Sequence, residues 1–363
     1  MIPAHWRRPF ASPFPNVAQT QVLTAIFAPE AEARSAFSGW RAGLDLRGHF
    51  DPEVFRLLPL LYLRLSELGI KDDLMSRLKG VYRHAWVRNA QLLHDTGKAL
   101  AALGQAGIPM LVLKGAPLAL VYYSKPAGRP MGDLDVAVPK ECRAEAIRVL
   151  EAEGWTAPRT KLGAPSVFHA TPFHNGRGTE FDLHWHILIE TSGKPVEARF
   201  WETARPFDFY GVPTRMVDPA LALVQVLVHG LRTNPVPPVR WVADALTLIR
   251  RSPGLDWDLL VEVARTAQVT QRTRLGLVFV NQRFDAPIPP ETLKTLAATR
   301  PSLVERAETA AVLFETRGLA GNAISKPVIL LTDYIRQADE FGFRRVRGFV
   351  QYVHRRLIIN SGL

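Results

Sequence analysis

AGIPMLVLKGAPLALVYYSKPAGRPMGDLDVAV, residues 106–138, is the stretch on which the reading of this chain turns. Ile108–Leu113 is a short apolar run with β character, broken by Lys114-Gly115 before a segment of helical spacing, APLALVYY. A second apolar run, Leu134–Val138, follows Gly132 and carries Asp133 and Asp135 at its start. Side chains alternate across a strand, so the two aspartates share one face while Leu134, Val136 and Val138 face the core. Two carboxylates within about 7 Å on one face repel each other unless a cation lies between them. Hard divalent cations such as Mg²⁺ take oxygen ligands of this kind and keep positions open for water and substrate phosphates. A bare D-x-D is more often a pair of solvent-facing acids on an edge strand, so the neighbouring segments decide.

Downstream, CRAEAIRVLEAEG (142–154) reads as an amphipathic helix closed by glycine. SVFHATPFHNGRGTEFDLHWHIL (166–188) then reads as a hairpin turning at Asn175-Gly176-Arg177-Gly178. Alternation puts Asp182, His184 and His186 on one face and Phe181, Leu183 and Trp185 on the other. A third carboxylate on a neighbouring strand is what a two-metal site needs. Lys114-Gly115 opens a helix, where glycine lets the backbone approach a phosphate and the helix N-terminus favours an anion. These pieces make residues 108–215 a small α/β domain on a mixed sheet.

On either side the pattern is helical. In DPEVFRLLPLLYLRLSELGI (51–70), Phe55, Leu58, Leu61, Tyr62 and Leu65 recur at three and four, behind an Asp51 cap and Pro52 at the first helical position. A second helix is expected from Asp73 to Leu103, ending at Gly104 and Gly107. The helical region is thus 21–107, preceded by a Pro-rich arm over 1–20. Residues 216–363 form a C-terminal helical domain, broken at Asn234–Pro238 and Pro287–Pro290.

Composition narrows the class. With 363 residues, 47% hydrophobic and 22% charged, the chain is an ordinary globular one. Its single cysteine, Cys142, excludes an intramolecular disulfide and a multi-cysteine zinc site; it fits the reducing cytoplasm and reads as an inert helix residue. No apolar run approaches the roughly 20 residues of a membrane span. The net charge of +11 invites nucleic acid, phosphorylated substrate or an anionic surface. The basic residues are scattered, however, except in YIRQADEFGFRRVRGFVQYVHRR (334–356), which reads best as a solvated helix with its aromatics packed on the body.

The segment 106–138, followed by EFDLHWHI, resembles the uncharacterised bacterial nucleotidyltransferases, a branch of the DNA polymerase β-like superfamily. The shared signature is L-K-G, a Tyr-rich helix, R-P-x-x-D-h-D-h-h-V and a later h-D-L-H-W. The resemblance extends through YRHAWVRNAQLL upstream and HGLRTNPVPPVRWVADALTLIRRSPGLDWDLL downstream, over roughly residues 50–285. It implies an α+β fold, a polymerase-β-like core of small mixed sheet and helices flanked by helical regions. It implies that Asp133, Asp135 and Asp182 bind two Mg²⁺ ions (Mn²⁺ as a substitute) and carry catalysis. Gly115 and Gly132 would line the triphosphate of an NTP, with Lys114 and Arg129 as phosphate contacts. NMP would pass to a hydroxyl or phosphate of a small-molecule or peptide acceptor, with nucleic acid less favoured, and pyrophosphate would leave.

Around that core the choices stay open. His184 and His186 flank the site, ligate a transition metal or lie on a polar sheet face; His169 and His174 contact substrate or sit on the partner strand. His229 faces the cleft or is a core histidine. Arg240 and Asp244 face the cleft or form an i,i+4 ion pair. The wider superfamily has serine after the glycine; here Ala116 follows Gly115, so triphosphate contacts differ or Lys114 substitutes. A non-catalytic binder on the same fold and a γ-phosphate kinase are the alternatives. Retention of three acids argues against the binder, because buried like charges without a metal are costly.

Overall fold

The computed structural model describes residues 13–45, 50–157, 169–232, 239–315, 319–341, 349–350 and 352–353. Helix α1 (Val17–Phe27) starts at Asn16, whose side chain accepts from the Gln19 amide while the Gln19 side chain accepts from Asn16 N. The expected arm is therefore shorter than residues 1–20. Its end is anchored: Trp241 Nε1 donates to Pro13 O at 2.8 Å, and Phe14 packs on Trp241 and Phe279. A Pro-rich, aperiodic segment can still be fixed by one half-buried aromatic, which periodicity does not register. Residues 1–12 lie outside the described residues.

Helix α2 (Glu30–Ala42) packs beside α1. The single helix expected from Asp51 divides into α3 (Pro52–Phe55) and α4 (Leu58–Glu67). Asp51 caps α3 by accepting from the Glu53 and Val54 amides. Pro59 lacks the N–H that would continue the ladder, so the chain kinks and restarts. Helix α5 (Leu74–Gln105) runs the full expected length and stops at Gly107, φ 72°.

The sheet segments are β1 (Leu111–Val112), β2 (Asp133–Ala137), β3 (Ala170–His174), β4 (Glu180–His184), β5 (Arg205–Phe209) and β6 (Val212–Met216). Between them lie α6 (Gly115–Pro117), which continues as a π-helical turn over Leu118–Tyr122, α7 (Arg143–Ala152) and α8 (Glu197–Glu202). The strand order β3-β4-β2-β1-β6-β5 makes one six-stranded sheet. It is mixed, as expected: β2 pairs parallel with β4 and antiparallel with β1, and β1 pairs parallel with β6. The hairpin β3–β4 turns through Gly176 and Gly178 at φ 71° and 83°. The β5–β6 hairpin is not announced by the sequence pattern; it turns at Tyr210-Gly211, where positive φ at a tyrosine is a weaker signal than Asn-Gly.

The chain then forms α9 (Pro219–Gly230), α10 (Arg240–Arg251), α11 (Trp257–Thr266), α12 (Thr270–Phe284), α13 (Pro290–Ala298), α14 (Leu303–Glu315) and α15 (Leu319–Phe341). The expected break at Pro287–Pro290 falls between α12 and α13; that at Asn234–Pro238 lies outside the described residues except for its flanks. Much of 334–356 is also outside them, but Tyr334 packs on Phe349 and on the buried Tyr352. Among the described residues no helix is long and apolar enough to cross a membrane.

Two cores hold these elements. One packs α5 and α7 on a sheet face through Leu92, Leu100, Leu134, Val136, Leu150 and Phe181. The other joins the first helices to the later ones through Leu23, Leu58, Leu61, Leu221, Val224 and Leu246, all fully buried. Each such leucine contributes about 2 kcal/mol of burial. Residues far apart in sequence therefore close around the sheet's other face, where Asp133 and Asp135 point.

Candidate active site

The parallel pairing of β2 with β4 is what assembles the acids. Its register sets Asp133 opposite Glu180, Asp135 opposite Asp182 and Ala137 opposite His184. Ligand atoms of Asp135, Asp182 and His184 lie within 4.8 Å of one another. Helix α5 fixes both strand leads. Asn89 donates to Pro126 O and Arg129 O at 2.9 and 3.0 Å and accepts from Met131 N at 3.0 Å. Asp95 accepts from Asn175, Arg177 and Thr179 of the hairpin turn at 2.7–2.9 Å.

Lys114 reaches into this cluster. Its Nζ lies 2.6 Å from Asp135 Oδ1, and His184 Nε2 lies 2.9 Å from the same oxygen. The Lys114 backbone, φ 47° and ψ −104°, is outside the wells an L residue prefers, a strain of order 1–3 kcal/mol. The sharp exit from β1 into α6 imposes it. Gly115 is tightly enclosed: a Cβ there would come 3.0 Å from Arg129 Nη1, which would have to give way.

The charges are unbalanced. Burial works against the Asp135 anion, but Lys114 and His184 hold its carboxyl far below the usual range. Burial and the Asp135 charge push Asp133 up. Burial, Asp135 and Asp133 push Asp182 up to about 7. Burial and Lys114 hold His184 down. The carboxylates thus lack one or more positive partners, and the oxygens of Asp135 and Asp182, within 4.8 Å of each other and of a His184 nitrogen, suit a divalent cation; Asp133 is not in that group.

A cleft of about 550 Å³ opens on the acids. It is lined by Lys114, Gly115, Arg129, Gly132, Asp133, Asp135, Asp182, His229, Arg240 and Asp244, all of them singled out in the sequence. His184 stands behind Asp135, against the ring of His169 at 5.4 Å. His186 is not brought to the acids: β4 ends at His184, and His186 Nδ1 pairs with Glu197 at 2.7 Å. Strand alternation fails there because the strand has ended. His174 sits at the outer end of the hairpin, 3.9 Å from Glu180.

Arg129 is not a free phosphate donor. Its Nε and Nη2 fork onto Asp244 at 2.8 and 2.9 Å, and Tyr123 donates to the same carboxylate at 2.7 Å. Arg240 is only 3.9 Å from Asp244 and gives Nη1 to Pro130 O at 2.8 Å. The expected i,i+4 pair is thus the minor contact of Asp244. His229 opens onto the cleft, yet desolvation between its walls, with Lys114 and Arg232 near, brings its imidazole down to about 3.

The remaining wall comes from the N-terminal helices through Phe55, Arg56, His84, Arg88 and Asn89. Sequence reasoning assigned none of these. YRHAWVRNAQLL, already part of the resemblance, contains three of them and is the signal that could have found them. A larger depression of about 1010 Å³ between α11 and α13 holds no metal-ligating cluster among the described residues.

No curated protein matches the sequence. The solution structure of the antibiotic-resistance factor ANT(2'')-Ia is 16% identical, with a TM-score of 0.35, covering 54% of this chain and 98% of that one. An antigenic nucleotidyltransferase-like protein from Paracoccidioides brasiliensis is 15% identical, with a TM-score of 0.35, covering 58% and 95%. The model of the uncharacterised nucleotidyltransferase family matches residues 53–285, more than half of the chain and every acid of the cluster. The chain belongs to that family and is a nucleotidyltransferase.

Proposed function

We propose that the protein transfers NMP from an NTP to a hydroxyl or phosphate oxygen of a small-molecule or peptide acceptor, with Mg²⁺. The acceptor oxygen bonds to the α-phosphorus, the bond to the bridging oxygen breaks, and pyrophosphate leaves. The observation that carries this reading is the β2–β4 register, with donor atoms of Asp135, Asp182 and His184 within 4.8 Å at a cleft large enough for a nucleotide. The Asp135 and Asp182 oxygens fit a divalent cation such as Mg²⁺, and the His184 nitrogen beside them also suits Mn²⁺; such a cation would neutralise phosphate charge and orient the reacting oxygens.

The chain's own residues do the rest. Asp133 and Asp135 offer oxygens on one face of β2, and Asp182 offers a third from β4. Asp182, the acid on the β4 side of the cluster, is the group that would take the acceptor hydroxyl proton. Lys114, already aimed into the cluster, is the group nearest to where a β- or γ-phosphate would lie, in place of the serine absent at Ala116. The single cysteine supports a cytoplasmic setting.

The test is incubation with ATP labelled at the α or the γ position, Mg²⁺ and panels of alcohols, amino acids and peptides. Label transferred from the α position, with pyrophosphate released and both lost in Asp135→Asn, supports the reading. Transfer of γ label, or activity unchanged in Asp133→Asn/Asp135→Asn, overturns it.

A further inference from the structure

The acid pair has a cation at each end. Lys114 lies on Asp135. At the other end Arg240 donates to Pro130 O at 2.8 Å, on the segment that leads into Asp133. Arg56, at the C-terminal cap of α3, lines the same cleft. Glu53 ties the two arginines together: it precedes Arg56 on one helical turn, and its Oε2 accepts at 2.9 Å from Val239 N, next to Arg240.

Among the described residues neither guanidinium has a hydrogen-bonded carboxylate; each has one at 3.9 Å. Asp244 is taken by the Arg129 fork and the Tyr123 hydroxyl, leaving Arg240 at 3.9 Å. Arg56 is 3.9 Å from Glu53 Oε1, which is buried with no hydrogen-bond partner among the described residues. Burial pushes Glu53 up to about 7, so it compensates only in part. Desolvation, with Arg129 and Arg56 close by, brings Arg240 down to about 10. A guanidinium facing a cleft, with its carboxylate held off at 3.9 Å, still presents N–H donors that match an oxyanion.

We propose that Arg56 and Arg240 form an anion subsite that holds a phosphate or carboxylate group of the acceptor. Assigning it to the acceptor rests on the nucleotidyl-transfer reading, in which the triphosphate occupies the Lys114 end. One oxyanion site at each end of Asp133–Asp135 keeps the two substrates apart with the reacting oxygens between them. Phe55, 43% exposed, and Pro59 flank Arg56, so the acceptor has an apolar part beside its acidic group. The substrate class is an acidic small molecule or an acidic peptide terminus.

The test is equilibrium binding to the full chain of two probes: labelled inorganic phosphate, with Mg²⁺ and a non-hydrolysable ATP analogue saturating, and the analogue itself. In Arg56→Gln, phosphate affinity should fall at least tenfold while analogue affinity stays within twofold. Lys114→Gln should do the reverse to the analogue. Arg56→Lys, which keeps the charge, should retain part of the phosphate binding, and melting curves report folding. Phosphate binding unchanged in Arg56→Gln overturns the subsite. Analogue binding lost in parallel hands the subsite to the triphosphate and overturns the acceptor assignment. If phosphate behaves as expected but the wild type binds no ATP analogue, the transferase reading fails and the subsite stands.

Discussion

Two buried charge clusters in this molecule follow opposite rules. Beneath α12, α14 and α15, Glu190 accepts from Arg232 at 2.6 Å and Arg272 at 2.7 Å, while Glu308 accepts from Arg272 at 3.2 Å and from Arg336. Three cations there meet two acids, and although burial opposes its charge, the arginines hold Glu190 well below the carboxylate range. In the cleft, Asp133, Asp135 and Asp182 share Lys114 and, at the Asp133 end, Arg240, and two of the three are pushed up. The first cluster has each acid bonded to arginines and holds the C-terminal helices on the body. The second is left short of positive charge, and the shortage points to a ligand.

The sharpest break of that contrast is Asp182→Asn. Transfer should fall about 10³-fold, the scale of a lost transition-state contact, while the metal-free chain becomes more stable at pH 8. The folded Asp182 carboxyl lies near 7 against 3.8 unfolded, so its contribution is present below about 3.8 and lost as pH rises through 7. A drop in the melting temperature of Asp182→Asn at pH 8 would contradict this.

Arg272→Met should behave oppositely, because it leaves Glu190 and Glu308 buried with fewer partners. We expect a loss of about 3 kcal/mol in urea unfolding at pH 7. Glu190 is depressed on folding, so its stabilisation is present above its unfolded value of 4.5 and fades as pH falls below that. A change under 1 kcal/mol would show the two clusters to be alike.

The smallest effect is a linkage. Binding a cation at the acids displaces the Asp182 proton, so Mn²⁺ affinity should rise about tenfold per pH unit up to about 7 and then level. Titration by electron paramagnetic resonance reads it, and a flat profile between pH 5.5 and 7 would remove Asp182 from the cation site.

The legible part of this protein was local. Alternation along Asp133–Ala137 and Glu180–His184 placed the acids on one face, and Asn175-Gly176-Arg177-Gly178 marked the hairpin, because strand period and turn chemistry are written in neighbouring residues. The same logic overreached at His186, where the strand had ended. It was silent on the β5–β6 hairpin, whose turn lacks a strong residue signal. Asn89 holding Pro126 and Arg129, and Asp95 holding the hairpin turn, could not be read, since one helix face grips loops brought near only by folding.

Residue types, their faces and the family are written along the chain, because the L-K-G, D-L-D and D-L-H-W segments each carry their chemistry within a few positions. Which charges are spent and which are open is settled only when the chain folds. Arg129 is spent on Asp244, 115 residues away, while Arg56 and Arg240 line one cleft with their acids held at 3.9 Å. Pairing between distant side chains depends on how helices and sheet close around a common face. No local period or spacing carries that information.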